Sequence, residues 1–247
     1  MAITRREALG AVVASGAGAL WFEGGLAVAG ESPRVEPKVA SFRPGQHAPR
    51  KLGFDTRKLR GISEKMITSH WENNYGAAIK NLNKLEEELG RITKDTPGFL
   101  VSGLKERELT FTNSIVLHEH YFGNLGGDGQ PGGAIAAALT EAYGSFGRWE
   151  ESFRATGASL GGGSGWTVLD WNLHAGALRT YWSGNHTQAL AFGAPLLVLD
   201  MYEHAYQMDY GAAAAKYIDA FMQNVDWQEV NRRYERTAKL GSLFVAK

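Results

Sequence analysis

The chain has 247 residues, no cysteine, and 26 basic against 26 acidic side chains. The length suits one large domain or two small ones, and neutrality argues against nucleic acid, which calls for a basic face. Without cysteine there can be no disulfide, thiolate-bound zinc, iron–sulfur cluster or thiol nucleophile. Any metal must therefore be held by His, Asp or Glu.

The N-terminus reads as an address. Thr4-Arg5-Arg6-Glu7-Ala8-Leu9 leads into an uncharged, weakly apolar run from Leu9 to Phe22, and Ala27-Val28-Ala29 offers small residues for a signal peptidase. The pattern predicts a twin-arginine export signal over residues 1–29, with Ala8 where Phe is usual. The apolar run is 14 residues long. That is short of the ~18–20 a membrane span needs, so the expected location is periplasmic or extracellular, with no membrane attachment after removal. This route carries proteins already folded, often with a cofactor inserted, which suits an exported metalloprotein. Residues 30–54, with Pro33, Pro37, Pro44 and Pro49, read as an extended linker outside the fold.

Apolar residues then recur at helical spacing from Ile62 to Leu89, with Ser63 as N-cap and Gly90 as the C′ stop. A second helix runs from about Lys105 or Thr112 to Phe122. The glycine-rich stretch from Asn124 to Gly133 marks a boundary between domains at 55–125 and 131–240. Helices follow at about 132–143 and 146–159. Three β-patterned runs come next, Trp166–Trp171, Leu178–Trp182 and Pro195–Asp200, and then helices at about 211–223 and 226–239. The order is α+β.

Asp200-Met201-Tyr202-Glu203-His204-Ala205-Tyr206 closes the last strand, and an Asp at a strand end with a His four residues on can turn to one point. His70 on the first helix and His120 on the second can join them if the helices are antiparallel. Three imidazoles and one carboxylate suit iron or manganese, with zinc open on ligand type alone. Two residues apart on a helix, His118 and His120 point ~200° from each other; His118 reads as packing or polar surface rather than a ligand, as does Glu119. His47 falls in the linker and His174 in a hairpin turn.

The Asp200–Tyr206 stretch resembles the signature of the iron/manganese superoxide dismutases. Gly163-Ser164-Gly165-Trp166-Thr167, Asn81-Leu82-Asn83-Lys84-Leu85, Asp209-Tyr210 and Tyr217 follow the same order, so the resemblance covers roughly residues 55–240. It implies an N-terminal helical hairpin domain and a C-terminal α/β domain with a three-stranded antiparallel sheet. One iron or manganese ion per subunit would sit between them on His70, His120, Asp200 and His204. It also implies a dimer, with Glu203 reaching a ligand His of the other subunit, and disproportionation of superoxide to O₂ and H₂O₂. Trp166 matches the family's aromatic wall.

The surroundings of the site depart from the family pattern. A His four residues after the first ligand and a Tyr eight after it are usual; Asn74 and Ala78 stand there. Gln207 replaces the Tyr that pairs with that His across the dimer, so Asn74 and Gln207 form a pair of amides. Ala214 replaces a gateway Arg. A Gln from the second helix would bond the site's solvent in iron types, and Val116 occupies that place; the other source of such a group is filled by His186, the expected partner of the bound solvent. Removing residues 1–29 leaves 24 basic and 24 acidic groups, so no global field draws an anion in. Three functions are thus open: a superoxide dismutase, a redox metalloenzyme of this fold with another substrate, or a non-enzymatic metal-binding protein.

Overall fold

The computed structural model describes residues 44–241. The export signal at 1–29 and the first part of the linker lie outside the described residues. A single 3₁₀ turn, Thr56–Lys58, precedes α1 (Glu64–Ser69). The Ser63 hydroxyl caps α1 by accepting the Met66 N–H at 3.1 Å, as a small polar N-cap does. A π-helical turn, His70–Tyr75, carries α1 without a break into α2 (Gly76–Leu89). Its signature is the Gly76 N–H bonding back to Trp71, five residues away. The wider turn lets His70 and Tyr75, five residues apart, both face inward; each is 1% exposed.

On α2 the residues Ala78, Ile79, Leu82 and Leu85 are buried, a helical stripe laid against α3 (Gly98–Gly123). α3 begins directly after Pro97, well before the expected Lys105 or Thr112. Phe99, Leu100 and Leu109 are exposed, so its first half has no clean apolar face to read. Gly90 follows the last residue of α2, as expected, but without the left-handed turn of a C′ glycine. It keeps a right-handed backbone, φ −64°, and the turn continues through Arg91 and Ile92, whose N–H groups bond Glu88 and Leu89.

The described end of the linker is docked on this helix pair. The Glu86 carboxylate accepts the Gly45 N–H at 2.7 Å and meets His47 Nε2 at 2.8 Å. Asn83 both accepts from and donates to the His47 backbone. Farther along, the Arg50 N–H donates to the Tyr75 hydroxyl and the Trp71 indole donates to the Arg50 carbonyl.

α4 (Gly133–Tyr143) and α5 (Phe146–Ala158) lead to the sheet, β1 (Trp166–Asn172), β2 (Ala177–Ser183) and β3 (Gly193–Asp200). All pairings are antiparallel, with β1 central. A short α6 (Gln207–Tyr210), α7 (Ala214–Gln223) and α8 (Trp227–Gly241) complete the described residues. The α+β class and the three-stranded antiparallel sheet are as expected from the sequence.

Two details aim the site. The buried Asn124 side chain, at the end of α3, accepts the Val198 N–H of β3 at 2.9 Å and donates to the Tyr121 carbonyl, fixing α3 against β3. Gly165 has φ +143°, and a Cβ there would lie 2.2 Å from the Ser183 carbonyl oxygen; only glycine fits. Its own carbonyl accepts the Met201 N–H, which anchors the chain one residue beyond Asp200.

Candidate metal centre

Asp200 ends β3 directly across from Trp166 in the register of the sheet. Its side chain is fully buried. Oδ1 accepts the Tyr202 N–H at 2.8 Å, which turns Oδ2 toward three imidazoles. His70 Nε2 lies 3.1 Å from Oδ2, His204 Nε2 3.2 Å and His118 Nε2 3.6 Å. One donor atom from each of His70, His118, Asp200 and His204 falls within 4.8 Å of the others.

His120 is not among them, which corrects the expected ligand set. α3 buries Ser114, Ile115, Leu117, His118, Tyr121 and Phe122, a stripe at helical spacing. His118 is on that stripe. His120 lies off it, with Nδ1–H donating back to the Val116 carbonyl at 2.8 Å and its ring pushed down to about 4 by burial and by Arg233. The stripe was readable in the sequence as Ser114, Leu117/His118, Tyr121/Phe122. Val116, the residue read in place of the iron-type Gln, is exposed as well and does not line the site. Four residues before His118 stands Ser114, which lines the site cavity.

The protonation states follow from the surroundings. His118 Nδ1–H donates to the Ser114 carbonyl at 2.7 Å, leaving a lone pair on Nε2. Burial, and then His70, push His118 down to about 3; burial also lowers His70. Burial alone would raise the Asp200 carboxyl, but His204 and His70 hold it well below the usual carboxylate range. The result is one buried carboxylate oxygen with three imidazole nitrogens crowded on it. His70 Nε2 and His118 Nε2 have no hydrogen-bond partner, although His70 Nε2 is close to the carboxylate. Such a cluster is costly unless a cation lies at its centre. Bonds of ~2.0–2.2 Å to first-row metals suit this spacing, and His₃Asp is a donor set for iron or manganese. The residues fit the ion.

A cavity of about 210 Å³ opens on His118 and His204. Asn74, Ala78, Asn81, Thr110 and His186 are among its lining residues. Asn74 and Ala78 thus stand beside the site as expected. Trp166 is fully buried; its indole donates to His186 Nδ1 at 3.0 Å and its ring meets His118 edge-on at 5.1 Å. Ring stacking on Tyr202, 4.8 Å between centroids, holds His186 from the other side. Tyr75 packs on His118 and donates to Glu119, which pairs with Arg50. Glu203 and Gln207 are exposed, His174 lies exposed in its turn, and Ala214 starts α7.

This chain is similar to known metalloproteins. Residues 131–233 match the family model of the C-terminal domain of iron/manganese superoxide dismutases. The chain is 50% identical over 184 residues to an iron superoxide dismutase of Cupriavidus metallidurans, covering 74% of this chain and 93% of that one. It is 33% identical over 184 residues to a manganese superoxide dismutase of Haloferax volcanii, covering 72% and 90%. With an iron superoxide dismutase of Aquifex aeolicus the identity is 32% over 192 residues, covering 74% and 89%. The chain belongs to the iron/manganese superoxide dismutase family.

Proposed function

We propose that this chain is a superoxide dismutase, converting two superoxide ions and two protons into one O₂ and one H₂O₂ at a single iron or manganese ion. His70, His118, Asp200 and His204 would hold the ion. The observation that carries this reading is the convergence of three imidazole nitrogens on one buried carboxylate oxygen. An iron or manganese ion, when bound, would supply one-electron redox chemistry.

The chain's own residues do the rest. Asp200 contributes the single negative charge of the donor set. The Ser114 carbonyl fixes the tautomer of His118, which raises its basicity as a ligand. Because Trp166 donates to His186 Nδ1, the neutral His186 ring carries its proton on Nε2. Burial lowers His186 and keeps it neutral. From the cavity wall it offers that Nε2–H to solvent or peroxide at the site. Asn74, Asn81 and Thr110 line the approach with groups that bind water without adding charge.

The reading extends to a homodimer through Glu203, Asn74 and Gln207, supported by the family pattern and by the exposure of Glu203 and Gln207. It also extends to export by the twin-arginine route, supported by Arg5-Arg6, the apolar run and Ala27-Val28-Ala29. Among the described residues no helix is long and apolar enough to cross a membrane.

The test is stopped-flow measurement of superoxide decay with purified, metal-loaded protein. A kcat/KM on the order of 10⁸–10⁹ M⁻¹s⁻¹ is expected. Metal-replete protein that removes superoxide no faster than the free ion would overturn the reading.

A further inference from the structure

Asn113 lies on α3, five residues before the ligand His118. Its side-chain amide donates to the backbone carbonyl of His186 at 2.7 Å, across 73 residues of sequence. His186 sits in the connection between β2 and β3, away from regular structure. That connection is organised internally. Asn185 Oδ1 accepts from the Thr187 N–H and hydroxyl, and the Ser183 hydroxyl donates to the carbonyls of Asn185 and Gln188. These bonds shape the loop but do not say where it lies relative to the ligands. The Trp166 indole fixes the ring's tautomer, and Asn113 fixes its backbone against the helix that carries His118.

We infer that Asn113 is a positioning residue for the reaction. Through its bond to the His186 carbonyl it holds the His186 Nε2–H at a set distance from the metal centre. One rigid helix, rising ~1.5 Å per residue, then carries both a ligand and the strut for the group that faces it. A backbone-directed amide suits this task, because it sets the loop's place without competing for the imidazole. The inference rests on the reading of His186 as the partner of the site's solvent.

The experiment uses the full, metal-loaded chain with Asn113→Ala, Asn113→Asp, His186→Ala and the double variant Asn113→Ala/His186→Ala. Asn113→Ala is expected to keep its metal and to speed amide exchange at residues 184–190 by ~5-fold or more, leaving β1 and β3 protected. Its turnover falls by ~3- to 10-fold, the weight of one hydrogen bond. Its visible absorption shifts in the same direction as that of His186→Ala. In the double variant the Asn113 change costs nothing further, because the residue it positions is gone. Asn113→Asp, which places an acceptor against a carbonyl, loses at least as much and serves if the Ala variant does not fold. Additive losses, or an unshifted spectrum with only a lower melting temperature, would overturn the inference. An impaired His186→Ala beside a normal Asn113→Ala sinks the strut alone. A fully active His186→Ala sinks instead the role of His186 on which it rests.

Discussion

His118 and His120 stand two residues apart on one helix and face opposite ways: His118 Nε2 lies 3.6 Å from Asp200 Oδ2, while His120 donates to the carbonyl of Val116. An α-helix turns ~100° per residue, so only one of the pair can reach the centre. Which one is decided by where the buried stripe of α3 meets β3.

Replacing each histidine in turn separates them. His118→Ala should lower metal affinity by more than ~100-fold, beyond the usual cost of losing a group that merely supports a ligand. His120→Ala should keep its metal. Elemental analysis of the purified variants decides, and a metal-free His120→Ala would reverse the assignment.

Superoxide capture should respond weakly to salt. The chain is neutral, and no Lys or Arg lines the cavity over His118 and His204. Steering by a cationic funnel normally fades steeply with ionic strength. Here kcat/KM should change by less than ~2-fold between low and physiological salt. A steep decline would show that cations elsewhere guide the anion.

Asp170 sets a pH dependence of stability. It is 1% exposed, neither carboxylate oxygen has a hydrogen-bond partner, and its cross-strand neighbour is Arg179. Burial pushes its carboxyl up to about 7, against the pull of Arg179. With the folded value above the unfolded one, the folded state holds this proton longer. Stability from this group is therefore greatest below pH ~4 and is lost as pH rises to ~7. Asp170→Asn should remove that slope and be more stable than the parent at pH 8 by on the order of 2 kcal/mol. Urea unfolding at pH 5 and pH 8 measures it, and parallel slopes in the two proteins would rule it out.

The docking of residues 45–50 depends on Glu86. Its buried carboxylate takes both the Gly45 N–H and His47. Glu86→Ala removes both bonds, and because solvent reaches the freed donors it should cost about 0.5–1.5 kcal/mol. Limited proteolysis should cut near residues 44–50 sooner in the variant than in the parent. Equal cleavage rates would mean that Asn83 and Tyr75 suffice.

Local chemistry made much of this protein readable. The three strands were legible to within about two residues, because alternation and turn residues are local signals. Asp200 and His204 were legible because a strand end and a tight turn fix both within five residues of chain. The start of α3 was not, since its first half buries no continuous stripe and exposes Phe99, Leu100 and Leu109. The right-handed backbone of Gly90 was not either, because glycine permits a left-handed stop without requiring it.

The sequence by itself determined the kind of centre this chain can build. With no cysteine and with an Asp–His pair at a strand end, the metal had to be held by imidazole and carboxylate. Only the tertiary structure decided which imidazoles. The π-helical turn at His70–Tyr75 and the phase of α3 choose His70 and His118, and Asn113 and Trp166 seat His186 beside them. These choices depend on rotations about helix axes and on bonds spanning tens of residues. A one-residue change in phase swings a side chain by ~100°, and no local pattern carries that angle without the surface it packs against.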